Sequence, residues 1–280
     1  MWVYCSAFTS SHFAVSTSVA SVLIHPPRSA ARIASYLEAP PATPMRVSAC
    51  FNCFKVIFLS NNPTKDPQMY ADKLTRLGIP TDASDVINTV VAMVLWLKEN
   101  AVGKKIYAIA EAPLINAIKA AGFEYSENPE EIDIVIASYD RDFHWKKFQI
   151  AFDALWFYKR AQLVATNPDQ FCPLPGGRGE VDAGPVIAAL ESCTGVKCEV
   201  NVGKPNKLMA ELVFKLTNLG PDQCIIVVDR LYTDIAMGHA AGMDSALVFT
   251  GETTPKMLEE ADLEAHPTYT LNNVREVFPL

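Results

Sequence analysis

CIIVVDRLYTDIAMGHAAG, the stretch from Cys224 to Gly242, decides the fold of this chain. Its five apolar residues Cys224–Val228 contain enough β-branched side chains to indicate a buried strand. Asp229 follows the strand, and Thr233 is placed to cap the helix-like segment that comes next, which puts Asp234 at the start of that helix. Open α/β sheets bind ligands at the carboxyl ends of their parallel strands, so the two carboxylates are candidate ligands of a hard cation such as Mg²⁺.

Two other strand-like runs also end in polar groups. Lys55–Leu59 leads into Ser60–Asn62, and Cys198–Val202 leads into Gly203–Pro205 before a helical pattern. A hydroxyl and an ammonium group can hold phosphate oxygens, and a carboxylate can hold the metal that neutralises them. Taken alone, either aspartate of the first stretch could be an ordinary turn or helix-start residue. Three such strand ends in one chain favour a phosphate site.

These three stretches resemble motifs of a known family. S-N-N at 60–62, G-K-P at 203–205 and D-R-L-Y-T-D at 229–234 are similar, in order, to motifs II, III and IV of the haloacid dehalogenase (HAD) superfamily. The residues of these motifs resemble those of the class IIA, NagD-like branch, whose members hydrolyse sugar phosphates, nucleotides and 4-nitrophenyl phosphate. The resemblance implies a Mg²⁺-dependent phosphatase of small phosphorylated metabolites. It further implies an α/β fold with a Rossmann-like parallel-sheet core and an inserted α/β C2-type cap domain, and it leaves open a homodimer formed through the cap.

The resemblance also implies the catalytic and metal-binding residues. Ser60, Lys204 and Asp229 would be the catalytic groups, and the first two would hold the transferring phosphoryl group. Asp229 would ligate Mg²⁺ with the support of Asp234. Because the three groups each close a strand-like run, we expect them to converge at one edge of a parallel sheet.

A loop in the middle of the chain is the candidate substrate contact. Asn167 and Asp169 lie in a T-N-P-D sequence directly after the strand-like run Gln162–Ala165. In the resembled family such a loop of the cap faces the substrate. Asn61 of motif II would also bind the substrate. A plain turn carries equal weight, because Asn, Pro and Asp are all turn formers.

The pattern along the chain predicts three segments. Residues 81–199 alternate strand-like and helix-like runs and are predicted to form the cap domain, whereas residues 55–80 and 200–280 are predicted to form the HAD core. Residues 1–54 are an atypical N-terminal segment, predicted to be disordered or wrongly deduced. An acid-poor start that contains Ser and Arg is also typical of a transit peptide. The family pattern, however, resumes in the middle of a strand at Lys55, which favours an error in the deduced sequence, such as a wrong start site or a frameshift. We expect the first core strand to be missing, which would leave a sheet edge open.

The nucleophile of the resembled family is absent. HAD phosphatases attack phosphorus with an aspartate of motif I, D-x-D-x-[TV], but the first aspartate of this chain is Asp66 and the only earlier acid is Glu38. Val228 also stands where the family usually has glycine. We therefore expect impaired or negligible hydrolysis. The alternatives are a non-catalytic protein that binds a phosphorylated metabolite or a protein partner, and a transferase or mutase on the same fold.

Composition narrows the partners and the location. A net charge of −7 argues against a nucleic-acid surface, and no apolar run approaches the length of a membrane-spanning helix. Seven cysteines, an odd number, suit free thiols in a reducing cytoplasm. We therefore expect a small phosphorylated substrate, no nucleic acid and no membrane partner.

Two helical predictions concern the middle of the chain. Ser84 is placed to cap a long apolar helix that runs through Leu97. Aromatic residues between Trp145 and Trp156 recur at helical spacing, which predicts a stripe used for packing.

Overall fold

A computed structural model describes residues 19–24 and 55–277 of the chain. The described chain divides into two compact units. The first spans Ser60–Gly203, and the second consists of residues 19–24, 55–59 and 204–277. The predicted cap, 81–199, lies within the first unit, whereas the predicted core segment 55–80 is divided between the two units at Ser60.

The first unit is an α/β structure with a five-stranded sheet. Its helices are α1 (Pro67–Arg76), α2 (Thr89–Asn100), α3 (Ala112–Ala120), α4 (Trp145–Phe152) and α5 (Ala183–Thr194). Its strands are β3 (Val86–Asn88), β4 (Lys105–Ile109), β5 (Glu124–Tyr125), β6 (Ile134–Ala137), β7 (Gln162–Ala165), β8 (Phe171–Leu174), β9 (Arg178–Val181) and β10 (Cys198–Asn201). The sheet order is β10-β7-β6-β4-β5 with parallel pairing, and β8 and β9 form an antiparallel hairpin.

The core of this unit lies on its central strands. All four residues of β6 are buried, as expected for a parallel strand that is covered on both faces. Buried side chains of β4, β6 and β7 pack with Leu155 and with Leu190 of α5 in one apolar cluster.

Strand β10 corrects one expectation. The sequence predicts that the strand-like run Cys198–Val202 ends at the same edge of one parallel sheet as Cys224–Val228, but β10 pairs with β7 in the sheet of the first unit. An apolar run with a following turn predicts a strand and does not say which sheet the strand joins.

The predicted helix over Ser84–Leu97 begins later than expected. Ser84 lies in a short 3₁₀ turn, Ala83–Asp85, and β3 follows this turn. Asn88 starts α2, because its side chain accepts a hydrogen bond from the backbone N–H of Val91 at 3.2 Å. An asparagine is a good N-cap, so the chain changes from strand to helix there.

The aromatic stripe is only partly used for packing. Leu155 is buried and Phe148 packs against the core, but Trp145 is 73% exposed and Trp156 is 48% exposed. Trp145 is the first residue of α4, and Trp156 lies in the π-helical turn Asp153–Phe157 that continues α4, where the change of helical period alters the direction of the side chains.

The second unit contains β1 (Val19–Ile24), β2 (Lys55–Ser60, whose last residue belongs to the first unit), α6 (Leu208–Thr217), β11 (Cys224–Val228), α7 (Ala236–Ala241), β12 (Asp244–Val248), α8 (Pro255–Glu259) and β13 (Tyr269–Leu271). Its strands are neighbours in the order β13-β12-β11-β1-β2. Strands β11, β12 and β13 pair in parallel, and the predicted strand Cys224–Val228 is buried throughout.

Strand β1 lies between β11 and β2, in the part of the chain that was predicted to be atypical. It runs antiparallel to β11, with Ser21 opposite Val227 and Ile24 opposite Cys224. The expectation of an open edge at this place is therefore wrong, because the backbone of β1 occupies the edge of β11. The rest of residues 1–54 lies outside the described chain.

Within residues 19–24 and 55–277, no helix has both the length and the apolar character needed to cross a bilayer.

Candidate functional site

Ser60 closes β2 and is held by two hydrogen bonds. Its Oγ lies 2.9 Å from the hydroxyl oxygen of Tyr70 on α1, and it accepts a bond from the backbone N–H of Asn62 at 3.2 Å. Asn62 is itself fixed in a turn, because its Oδ1 accepts bonds from the backbone N–H and the hydroxyl of Thr64. The strand end and the following turn therefore fix the position of the Ser60 hydroxyl.

The three predicted substrate-binding residues lie together in the first unit. The amide Nδ2 of Asn61 donates to Asp169 Oδ2 at 2.8 Å, and Nδ2 of Asn167 donates to the same oxygen at 3.0 Å. Asn167 also donates to Asp182 Oδ1 at 2.8 Å, and Asp182 caps α5. The T-N-P-D loop is thus more than an isolated turn, since its polar groups bond to motif II and to a helix start.

Gly203 is required by the same network. A Cβ at this position would lie 2.5 Å from the carbonyl oxygen of Thr166 and 2.9 Å from Asn61 Oδ1. Real Cβ atoms do not approach a carbonyl oxygen so closely, so the first residue of G-K-P must be glycine for the backbone to pass here.

Lys204 and Asp234 form a buried ion pair in the second unit. Lys204 Nζ lies 2.5 Å from Asp234 Oδ1, and the two side chains are 1% and 2% exposed. Thr233 Oγ1 donates to Asp234 Oδ2 at 2.7 Å. Thr233 is not the helix cap that the sequence predicts: the π-helical turn Leu231–Ile235 begins after Arg230, and the Thr233 hydroxyl fixes the carboxylate instead.

Asp229 follows β11 and faces the loop after β12. Its Oδ2 accepts a bond from the backbone N–H of Glu252 at 2.9 Å, and its carbonyl oxygen accepts one from Thr253 N–H at 3.0 Å. Glu252 is in turn held by Arg230 through an ion pair of 2.7 Å. A Cβ at Gly251 would overlap the Asp229 carboxylate, so glycine is needed for this close approach.

Replacing Gly251 by alanine is expected to displace the Asp229 carboxylate and to lower the free energy of unfolding by about 1–3 kcal/mol, the usual cost of overpacking. Urea unfolding measures the stability, and titration with Mg²⁺ and inorganic phosphate measures the site. Gly242→Ala is the control: its φ of 72° strains alanine, but its Cβ would meet no atom closer than 3.9 Å. The Gly242→Ala variant should have a lower free energy of unfolding and should bind Mg²⁺ and phosphate as the wild type does. Equal binding losses in both variants would contradict the assignment.

The carboxylates present supply little for a metal ion. Across the parts of the chain that the structure describes, His, Cys, Asp and Glu form no group of three or more suited to a metal. Both oxygens of Asp234 are engaged, by Lys204 and Thr233, whereas Asp229 uses Oδ2 for Glu252 N–H. Mg²⁺ is commonly held by one or two carboxylates, water and substrate phosphate. The residues present fit such an ion when a phosphorylated ligand completes its shell.

Burial and neighbouring groups shift the pKa of three side chains in the first unit. Burial raises the pKa of Tyr70 to about 12. Burial, and next the ammonium of Lys65, lower the pKa of Lys73 on α1. Burial, and next the hydrogen bond to Glu180, raise the pKa of Tyr139. The phenol of Tyr70 is therefore protonated at neutral pH.

Comparisons with known proteins agree with the motifs. A family model described as haloacid dehalogenase-like hydrolase matches residues 44–124, and one described as HAD-hydrolase-like matches residues 201–277. Sugar-phosphatase AraL of Bacillus subtilis is 31% identical over 227 residues, which are 81% of this chain and 80% of that protein. The chain belongs to the HAD superfamily. The 5'-nucleotidase YutF of Bacillus subtilis is 29% identical to this HAD chain over 224 residues, 80% of it and 84% of the relative.

A solved structure supports the same assignment. The crystal structure of 4-nitrophenylphosphatase from Thermotoga maritima matches the HAD chain with a TM-score of 0.74 and 30% identity, covering 80% of this chain and 83% of that one. The relatives place the chain in the class IIA, NagD-like branch and confirm the predicted α/β fold with a cap domain. The boundaries of the core and cap segments stay predictions. The convergence of Ser60 with Lys204 and Asp229 also stays a prediction, as do the roles of all predicted site residues.

Several residues of these networks were not predicted from the sequence. Tyr70, Asp182, Gly251 and Glu252 contact groups that are not their neighbours in the sequence. The only available signal was the position of Tyr70, ten residues after Ser60 on a helix that begins at Pro67. That spacing does not by itself indicate a contact.

Proposed function

We propose that this HAD chain is a Mg²⁺-dependent phosphatase of small phosphorylated metabolites whose hydrolytic step is impaired. The proposal rests on two observations taken together. The chain has the residues of motifs II, III and IV, but its first strand, β1, runs antiparallel to β11. Lys204 is held by Asp234, and Asp229 is held at the end of β11. The names of the relatives support sugar phosphates or nucleotides as the substrate class.

The direction of β1 supports the impairment. In the family the nucleophilic aspartate follows the first strand and lies near motif IV. Here Ile24, at the carboxyl end of β1, lies opposite Cys224, at the start of β11, whereas Asp229 follows the other end of β11. A residue placed directly after β1 would begin at the wrong end of the sheet. No aspartate precedes Asp66, so the covalent aspartyl route has no attacking carboxylate from this strand.

The remaining groups would bind and orient a phosphate ester. The Lys204 ammonium, which Asp234 holds in place, would neutralise phosphoryl oxygens. The Ser60 hydroxyl would donate a hydrogen bond to the same group. Asp229 would hold Mg²⁺, which when bound would neutralise the phosphate charge. Asn61, Asn167 and Asp169 would contact the rest of the substrate.

The second candidate is a protein that binds a phosphorylated metabolite without turning it over. The reversed β1 favours it, and so does Val228, which is buried directly before Asp229 where the resembled family has glycine. Its Cβ restricts the close approach of backbone to a ligand that glycine permits. The two candidates differ only in whether any hydrolysis survives.

The location and the assembly are part of the proposal. Cys193, Cys198 and Cys224 are free thiols in the described chain, which supports a reducing, cytoplasmic location. A homodimer formed through the cap stays a prediction.

The test uses the full chain and 4-nitrophenyl phosphate with Mg²⁺. We expect turnover no faster than that of Asp229→Asn, because general acid catalysis, typically about 10²–10⁴-fold, is lost together with the covalent route. Calorimetric titration with inorganic phosphate in the presence of Mg²⁺ should show weak binding that Asp229→Asn reduces. Asparagine keeps an acceptor for Glu252 N–H, so the loop should stay in place.

Asp262→Asn makes the same change at an exposed position of the second unit and should alter neither measurement. Turnover well above background that Asp229→Asn abolishes would show that another residue serves as nucleophile and would overturn the impairment. Absence of phosphate binding would overturn the phosphate site itself.

A further inference from the structure

The buried phenol of Tyr70 contacts the motif II hydroxyl. Tyr70 is 2% exposed and Ser60 is 1% exposed, and their oxygens lie 2.9 Å apart. Helix α1 presents Tyr70 in a fixed position, because Asp66 caps the helix by accepting from Met69 N–H at 2.8 Å and Pro67 occupies its first position. The contact therefore joins two rigid elements, the end of β2 and the first turn of α1.

The hydrogen-bonding capacity of a hydroxyl decides what this contact does. A serine hydroxyl has one proton to donate and two positions that accept. The backbone N–H of Asn62 fills one accepting position of Ser60 Oγ. If Tyr70 donates, both accepting positions are filled and the Ser60 proton is left for a third group. If Ser60 donates to Tyr70 instead, no proton remains for a ligand.

The protonation of the phenol favours the first arrangement. Burial raises the pKa of Tyr70 to about 12, so its O–H is present at neutral pH and needs an acceptor. A buried hydroxyl without an acceptor is costly, and Ser60 Oγ is at hydrogen-bonding distance.

We propose that Tyr70 is a positioning residue for phosphate binding: its O–H donates to Ser60 Oγ and directs the Ser60 proton toward a phosphoryl oxygen of the ligand. The inference rests on the proposed function, in which Ser60 binds the phosphoryl group. It deepens that function by assigning to α1 the orientation of the Ser60 hydroxyl.

The test is a double-mutant cycle on the full chain, with inorganic phosphate and Mg²⁺ titrated by calorimetry. Tyr70→Phe should weaken phosphate binding about three- to tenfold, the range that corresponds to one net hydrogen bond. In the Ser60→Ala background, Tyr70→Phe should cause no further loss, because the phenol acts through Ser60. A purely structural tyrosine would lower the affinity by the same factor in both backgrounds.

Tyr125→Phe is the matched control. Its phenol donates to the carbonyl oxygen of Ala108 at 3.2 Å, so the variant also loses one phenolic hydrogen bond in the first unit, and it should leave phosphate affinity unchanged. Urea unfolding of each variant shows that the fold is kept.

The outcomes separate the two hypotheses. If Ser60→Ala weakens binding but Tyr70→Phe binds like the wild type, the positioning role is wrong and the proposed function stands. An equal effect of Tyr70→Phe in both backgrounds likewise overturns the positioning role. If the wild type binds no phosphate, or Ser60→Ala binds as well as the wild type, both the role of Ser60 and the inference fail.

Discussion

Replacing Lys204 by methionine is expected to lower the free energy of unfolding by about 3–5 kcal/mol, the usual cost of removing one partner of a buried ion pair. The Lys204 ammonium lies 2.5 Å from Asp234, and both side chains are almost fully excluded from solvent. Without the ammonium, the Asp234 carboxylate loses its ion pair and keeps the hydrogen bond from the Thr233 hydroxyl. Urea unfolding of the full chain, followed by circular dichroism, measures the effect.

Lys207→Met is the matched control in the same unit. Lys207 pairs with Glu211 at 2.8 Å, but the two side chains are 56% and 45% exposed. Exposed pairs contribute little, so this variant should change stability by no more than about 0.5 kcal/mol. Lys204→Met combined with Asp234→Leu should recover part of the loss, because no unpaired charge remains. A single Lys204→Met variant as stable as the control would show that the pair is not desolvated.

The same pair would prepare Lys204 for its proposed role of binding a phosphate. A free lysine side chain samples many rotamers, and ordering it costs entropy when the ligand binds. The bond to Asp234 Oδ1 fixes Nζ before any ligand arrives, and Thr233 fixes the carboxylate. In the proposed function, Asp234 would therefore hold Lys204 in place, and its predicted support of the metal stays a prediction.

The sequence predicted the elements with continuous apolar runs best. The strands at Cys224–Val228 and Gln162–Ala165 match the structure to the residue, because each contains a buried apolar run and is followed by a polar residue. The start of α2 was missed because the apolar run continues from β3 into the helix, and only Asn88 marks the change. The sheet joined by β10 was missed because a strand pattern does not specify the neighbour.

The candidate site was predicted in its motifs and missed in its contacts. Asn61, Asn167 and Asp169 were selected from two separate loops, and they share one hydrogen-bonded network. Tyr70 and Gly251 were missed because their contacts depend on the packing of α1 and on the course of the loop after β12. Strand β1 was missed for a different reason. The segment VASVLI has a high strand propensity, but it lies in a stretch, residues 1–54, whose composition predicts disorder.

Replacing Val22 by proline is therefore expected to destabilise the second unit by more than about 3 kcal/mol, because proline removes a ladder donor and fits poorly in a central strand. Val22 lies opposite Ile226 in the pairing of β1 with β11, and β2 is the neighbour on the other side. In a strand with neighbours on both sides, each backbone N–H has a partner strand. Urea unfolding measures the stability, and amide hydrogen exchange should show lost protection at Cys224–Val228.

Val22→Thr separates the backbone effect from the side-chain effect. Threonine keeps the backbone N–H and the β-branched shape, so its cost should stay within about 1 kcal/mol, the span of strand propensities. If β1 pairs with β11 through its backbone, the sheet should tolerate threonine at position 22, and proline should disrupt it. If both variants unfold at the same urea concentration as the wild type, with β11 amides equally protected, then Val19–Ile24 is not part of the sheet. The edge of β11 would then be free for a strand of the opposite direction, and the explanation of impaired hydrolysis by a reversed first strand would fail with it.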